Sequence, residues 1–250
     1  MPGLCGKPAV AVVTGAATGI GRSIAERLAR DGASVALLDV QDCAETRARI
    51  ERSGGRVSSF RCDLRQPESV AEAAQAVGRD VGVTTILVNS AGVYPNAPFG
   101  QVDFAAWRDV LAVNLDGPFL TCQAFVPAME AAGAGRIVNI SATAVAGNSP
   151  GFVAYIASKM GLIGLTRSLA SDVGRAGITV NSVAPGLTRT ERTSEMWQGT
   201  SLFERVAEMQ AIERTAVPAD LTGAVSFLAS EEASFITGQT LAVDGGAVRF

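Results

Sequence analysis

The sequence contains no histidine. Without an imidazole there is no Ser–His or Cys–His couple, and zinc loses its commonest nitrogen ligand. Cysteine is sparse. Cys5, Cys43, Cys62 and Cys122 are scattered, with no C-x-x-C pair and no metal-ligand spacing. They read as small buried side chains in a reducing compartment. Charge of one sign is lacking too: 21 basic residues face 24 acidic ones, with no run of five like charges. That leaves no nucleic-acid footprint and no polybasic patch for a membrane surface. No apolar run reaches the roughly 18 residues of a membrane-spanning helix. The start, MPGLCGKPAVAVVTG, lacks a signal peptide's charged start and cleavage site. The expectation is a cytoplasmic protein with no metal, no membrane and no nucleic-acid partner.

Aromatic residues are few, at 6%, whereas glycine (27) and alanine are plentiful. Small residues suit close packing of helices on a sheet. The 250 residues, 48% of them hydrophobic, can bury a large core, and α/β chains of this size commonly form one domain. A single domain over 1–250 is expected.

Short apolar runs alternate with helix-like segments. AVAVVTG (9–15), SVALLDV (34–40), RVSSFRCDL (56–64), TTILVNSAG (84–92), RIVNIS (136–141), ITVNSVAPG (178–186) and TLAVDGG (240–246) read as strands. Helical spacing covers 20–31, 42–53, 67–78, 154–176 and 219–229. A long helix over 103–131 is expected to break near Gly117-Pro118. Near-continuous apolar strands separated by helices imply a doubly wound parallel sheet of about seven strands, of the Rossmann type, covered on both faces. One irregular stretch, 187–215, follows a strand end, where ligands bind in such folds. It reads as an insertion that could cover a substrate.

The first strand ends in TGAATGIG (14–21). Gly15 permits a tight turn, and Gly19 and Gly21 let backbone approach a phosphate. The helix starting near Thr18 and Ile20 directs N–H groups and its positive dipole end at an anion. A glycine cluster between a strand and a helix is the context that makes this motif meaningful. Asp39, at the end of the second strand, can accept hydrogen bonds from both ribose hydroxyls and would repel a 2′-phosphate. NAD is therefore expected over NADP. Asp63, Leu64, Asn89, Ala91 and Gly92 fall at equivalent strand ends and are read as adenine and ribose contacts.

Tyr155 and Lys159 are four residues apart and share a helix face. A nearby ammonium favours the phenolate, and such a pair can exchange a proton with an alcohol or ketone oxygen. The chain resembles the short-chain dehydrogenase/reductase family over essentially its whole length. The resemblance rests on Thr14-Gly15-x-x-x-Gly19-x-Gly21, Asn89-x-Ala91-Gly92, Asn114 in VNLDG, Tyr155-x-x-x-Lys159, Asn181, Pro185-Gly186 and the late VDGG. Ser90 replaces the second asparagine usual in the Asn89 motif. The resemblance implies Tyr155 as acid/base, with Lys159 binding the nicotinamide ribose and lowering the tyrosine pKa. It implies that Asn114 holds a relay water and that Thr188 and Thr190 contact the carboxamide. It also implies a homotetramer.

The family's catalytic serine typically lies 13 residues before the tyrosine. Here that position is Ala142. Ser141 and Thr143 flank it with the opposite strand parity. Three readings stand: the hydroxyl is absent, Ser141 is re-aimed by a shifted turn, or Thr143 substitutes. The first predicts a slow enzyme that still binds its cofactor.

The substrate cleft is expected to be apolar, with Tyr94, Thr143, Phe152, Leu187, Met196 and Trp197, and with Arg189 and Arg192 near but not obviously aimed into it. That suits a small uncharged, ring-bearing alcohol or ketone. The sequence resembles the subgroup containing (S)-1-phenylethanol dehydrogenase and pyridoxal 4-dehydrogenase. The rival readings are a 3-oxoacyl-[acyl-carrier-protein] reductase, and a dinucleotide-binding protein that no longer catalyses.

Overall fold

Seven parallel strands form one sheet in the order β3-β2-β1-β4-β5-β6-β7. The structure is a computed structural model and describes residues 9–147 and 149–248. The strands are β1 (Val10–Thr14), β2 (Ser34–Asp39), β3 (Arg56–Arg61), β4 (Ile86–Asn89), β5 (Gly135–Ile140), β6 (Ile178–Pro185) and β7 (Thr240–Val243). The helices are α1 (Gly19–Arg30), α2 (Ala44–Arg52), α3 (Pro67–Asp80), α4 (Phe104–Leu111), α5 (Gly117–Ala132), α6 (Val153–Val173), α7 (Glu191–Met196), α8 (Leu202–Glu208) and α9 (Ala219–Leu228).

Period-two alternation divides the core. Ala11 and Val13 of β1, Val35 and Leu37 of β2, and Ile86 and Val88 of β4 join one cluster, with Ile24 and Leu28 of α1 and Val225 and Leu228 of α9. Val12, Ala36, Leu38 and Leu87 join the other, against Val70 and Val77 of α3 and Phe125 and Met129 of α5. Both faces being covered explains why β1, β4, β5 and β6 are buried at every position. A fully buried side chain such as Leu28 contributes roughly 1.5–3 kcal/mol. The edge strand β3 keeps exposed residues and reads less apolar.

Strand order reverses between β1 and β4, which opens a crevice at their carboxyl ends. Three features converge there: the Gly15–Gly21 turn, the loop after β4, and a break in the long helical stretch. The break expected near Gly117 is a π-helical turn, Ala112–Asp116, set between α4 and α5 and carrying Asn114. Gly117 is required because a Cβ there would lie 2.9 Å from the Leu64 Cβ. The irregular stretch 187–215 contains two short helices, α7 and α8. The Thr190 hydroxyl accepts from the Thr193 amide and the Thr193 hydroxyl accepts from the Thr190 amide, so α7 starts in a capping box.

Cys43, Cys62 and Cys122 are free and buried. Burial pushes their thiols up to about 12, 11 and 12 respectively, which suits inert packing groups. Cys5 lies outside the described residues. Among the described residues no helix is long and apolar enough to cross a membrane, and no cluster of metal-ligating side chains occurs.

Candidate active site

The turn after β1 is held by backbone geometry that only glycine satisfies. Gly15 has φ +67°, and a Cβ on it would lie 2.6 Å from the Ala91 Cα. A Cβ on Gly21 would fall onto the Gly15 carbonyl oxygen. Gly19, at φ +56°, faces Thr190, whose Cγ2 would be 3.4 Å from such an atom. Thr18 begins α1 without capping its N–H groups by its side chain. Thr14 fixes the neighbouring loop: its hydroxyl accepts from the Ser90 and Ala91 amides at 3.1 and 3.2 Å.

A cleft of about 400 Å³ runs from this turn toward Tyr94. Gly15, Thr18, Gly19, Ile20, Gly21, Asp39, Asp63, Leu64, Ala91, Gly92 and Thr190, all read as cofactor contacts from the sequence, line it. Asp39 accepts from the Ala17 amide at 3.0 Å and the Gln41 amide at 2.9 Å. Its carboxylate is thereby fixed beside the glycine turn. Asp63 is held below the usual carboxylate range by Arg65, whose guanidinium donates to it at 2.7 Å.

Three residues read as cofactor contacts are engaged within the protein. The Asn89 side chain does not face the cleft. It donates to Asn139 Oδ1 at 2.9 Å and accepts from the Thr121 hydroxyl at 2.7 Å, tying β4 to β5 and α5. Thr188 is buried, and its hydroxyl donates to the Gly186 carbonyl at 3.0 Å, so only Thr190 presents itself to the cleft. Pro185 is likewise buried, its carbonyl accepting from Thr143.

On the proton-transfer side, α6 carries Tyr155 and Lys159. Lys159 is 4% exposed, and its Nζ donates to the Ile140 carbonyl at 2.8 Å. Burial lowers its ammonium to about 8. The ammonium stands 5.9 Å from the centre of the Tyr155 ring. Burial, with Tyr94 adding to it, raises the Tyr155 phenol above its ordinary value. In the protein without a nucleotide, burial governs this phenol, and the Lys159 ammonium beside it is the charge that would favour a phenolate.

Asn114 is fully buried, and its amide is spent on protein. It donates to the Val93 carbonyl at 2.8 Å and to the Ser158 hydroxyl at 3.1 Å, and accepts from the Val93 amide at 2.8 Å. Gly92 completes the corner: a Cβ there would lie 3.5 Å from both Asn114 Oδ1 and Lys159 Nζ.

The three hydroxyl candidates separate. Ser141 is 2% exposed; its Oγ donates to the Val183 carbonyl at 3.3 Å and accepts from Ser182 Oγ at 2.7 Å. Thr143 is 4% exposed and donates to the Pro185 carbonyl at 3.2 Å. Both are directed at β6 and its end. Ala142, extended at φ −163° and ψ 144°, sits between them with no hydroxyl.

Aromatic rings wall the space beside Tyr155. The Tyr94 and Phe152 rings meet it edge-on, with centres 5.9 and 6.0 Å away, and Trp197 follows 6.3 Å from Phe152. Leu187 and Met196 are half-buried on the α7 side and make no ring contact.

A family model described as enoyl-(acyl carrier protein) reductase matches residues 15–248, all of the described chain after β1. The chain belongs to the short-chain dehydrogenase/reductase family. It is 41% identical to galactitol 2-dehydrogenase (L-tagatose-forming) of Cereibacter sphaeroides, over 95% of this chain and 94% of that one. It is 40% identical to cis-4-hydroxycyclohexanecarboxylate dehydrogenase of Sinomonas cyclohexanicum, over 95% of each. Among solved structures it is similar to a gluconate 5-dehydrogenase from Burkholderia cenocepacia J2315 in complex with NADP and tartrate. That likeness has a TM-score of 0.91 and 32% identity, and covers 96% of this chain and 94% of that one.

The cradle of this short-chain dehydrogenase/reductase fits a nicotinamide dinucleotide. Cβ atoms at 15 and 21 would clash with the turn, and the first amides of a 12-residue helix lack a side-chain cap. Sequence reasoning missed Arg22. It donates to the Ala17 carbonyl at 2.7 Å and pairs with Glu191 at 3.0 Å, joining α1 to α7. An arginine one residue past the glycine motif carries no local signal of a partner 169 residues away.

Proposed function

We propose that the chain is an NAD-dependent dehydrogenase/reductase of small secondary alcohols and ketones, with Tyr155 as acid/base. The observation that carries this reading is the placement of Tyr155. Its ring lies between Lys159 and the aromatic wall of Tyr94 and Phe152, beside the glycine-lined cleft. A bound nicotinamide would accept or supply the hydride. Gly15, Gly19, Gly21 and the start of α1 would hold the diphosphate, Asp39 the adenosine ribose, and Lys159 the nicotinamide ribose. Asp39 favours NAD because its carboxylate, fixed by two amides, would oppose a 2′-phosphate. The neighbouring gluconate dehydrogenase holds NADP, so the choice is this chain's own.

The raised phenol of Tyr155 stays protonated at neutral pH and is ready to donate to a ketone oxygen. In the reverse direction the phenolate needs positive charge close by, which the Lys159 ammonium supplies. A Tyr94–Phe152–Trp197 wall suits a ring-bearing alcohol, and the relative acting on a hydroxycyclohexane ring supports that class. The kinship to a polyol dehydrogenase extends the class to polyhydroxy compounds. The narrower resemblance to phenylethanol and pyridoxal dehydrogenases rests on the sequence stretches 91–99 and 218–250. An acyl-carrier reductase is less favoured, since Asp39 opposes the NADPH such an enzyme would normally prefer. Ala142 lowers the rate without changing the reaction, because Ser141 and Thr143 are committed to the β6 side. Exposed Phe104, Phe119 and Met160 on α4–α6, and Phe227 and Leu241 on α9 and β7, support a homotetramer. The buried, unpaired cysteines support a cytoplasmic setting.

The test is nucleotide reduction at 340 nm with cyclohexanol, 1-phenylethanol and galactitol, using NAD or NADP. Turnover that Tyr155→Phe abolishes supports the reading. Nucleotide binding without any Tyr155-dependent turnover overturns it in favour of a non-catalytic binder.

A further inference from the structure

Two arginines follow the end of β6, and they are used differently. The Arg189 guanidinium carbon lies 4.0 Å from the centre of the Phe203 ring, and Phe203 is the buried residue of α8. Arg189 is exposed, stacks on that ring and does not line the cleft. Arg192 lines the cleft, with its guanidinium carbon 5.3 Å from the centre of the Tyr94 ring. The same Tyr94 ring stands edge-on to Tyr155. One aromatic side chain therefore touches both the acid/base residue and a cation.

The charge on Arg192 is not neutralised by protein. Among the described residues no carboxylate oxygen lies within 4.0 Å of its nitrogens. The adjacent Glu191 points to Arg22 at 3.0 Å. Burial raises the Tyr94 phenol, and a Thr190 hydrogen bond and, to a lesser degree, the Arg192 charge act against that rise. A guanidinium stays charged at any working pH and offers a planar fork of donors that matches a carboxylate. An exposed arginine without a carboxylate partner, at the rim of the cleft beside Tyr94, is available to an anion that arrives with the ligand.

We propose that Arg192 is a specificity-determining residue that binds a carboxylate on the substrate, so that the preferred substrates are hydroxy acids. Their carbinol or ketone carbon sits at Tyr155. A ring or short chain lies along Tyr94, Phe152 and Trp197, and the carboxylate reaches Arg192. This departs from the uncharged substrate expected from the sequence. It rests on the reading of Tyr155 as the acid/base residue, which fixes which end of the substrate reacts.

The experiment is calorimetric titration with two unreactive probes of one shape, cyclohexanecarboxylate and cyclohexanecarboxamide. The protein is first saturated with the nucleotide, so the diphosphate cradle cannot take the carboxylate. Parent, Arg192→Gln and Arg189→Gln proteins are compared. The expected result is carboxylate binding about tenfold or more tighter than the amide, since a charge-assisted pair is worth about that ratio. Arg192→Gln removes the preference, Arg189→Gln keeps it, and added salt weakens it. Equal binding of the two probes, no binding of either, or a preference that survives Arg192→Gln overturns the inference. Oxidation of cyclohexanol by the same samples reports separately on Tyr155. Turnover without a carboxylate preference sinks only the specificity claim, and a preference without turnover sinks the catalytic reading.

Discussion

Lys159 donates its ammonium to the Ile140 carbonyl at 2.8 Å while standing 5.9 Å from the centre of the Tyr155 ring. The lysine is therefore anchored to the end of β5, not to the tyrosine. Its burial sets its titration. The folded value is lowered to about 8, against about 10.4 for an unfolded lysine. Below pH 8 both states are charged, and the folded state bears the full cost of the buried ammonium. Between about pH 8 and 10.4 the unfolded chain binds the extra proton, so stability from this group rises with pH across that window. The chain has only two lysines, Lys7 and Lys159, so lysine-selective 13C labelling yields two side-chain signals. The one removed by Lys159→Arg should titrate with a midpoint near 8. A midpoint near 10 would refute the burial argument.

Ala142 separates two hydroxyls that both face β6. Ala142→Ser should raise kcat about 10²–10³-fold by restoring a donor to the developing oxyanion. Ser141→Ala should leave kcat nearly unchanged. It should instead cost about 1–3 kcal/mol in urea unfolding, because the Ser182 hydroxyl loses its buried partner. Rapid turnover by the parent together with collapse in Ser141→Ala would assign the donor to Ser141.

Hydrophobic period and turn chemistry made the sheet legible. Apolar runs located all seven strands to within a few residues, and glycines marked the turn after β1. Those signals are local. They say which face a side chain takes but not which partner it meets. Asn89 therefore reads as a cofactor contact, whereas its side chain bridges β4 to β5. Thr14 in the glycine motif gave no hint that its hydroxyl would anchor the loop after β4. The π-helical turn that buries Asn114 showed only as a break near Gly117-Pro118, because no residue pattern distinguishes such a turn from a kink. Arg192 was seen near the cleft, but its position over Tyr94 depends on the path of the chain after β6.

Asp39 sits between two roles: it fixes the glycine turn through the Ala17 amide, and it faces the cleft. Asp39→Ser removes the charge and keeps an acceptor. The ratio of kcat/KM for NADP over NAD should rise about tenfold or more, since opposed like charges cost several kcal/mol. The change should appear in KM for the nucleotide, with kcat for the alcohol little altered. A ratio that does not move would remove Asp39 as the basis of cofactor choice.

Gly21 is the sharpest steric constraint in the cleft. A methyl group there would fall onto the Gly15 carbonyl, and Gly15 cannot yield, because Ala91 blocks it on its other side. Gly21→Ala must therefore push the turn open or tilt α1. Either movement spoils the row of amides aimed at the diphosphate. The expected outcome is a folded protein that loses the rise in Tm normally produced by saturating NAD. Loss of stability alone would look similar in an activity assay, so a matched control is needed. Gly78 lies inside α3 with nothing within 4 Å of its Cβ position. Gly78→Ala should add about 0.5–1 kcal/mol of stability through helix propensity. The double variant should then match the parent's Tm more closely without NAD and still fail to respond to NAD. A restored response would show that Gly21 serves folding and not the nucleotide.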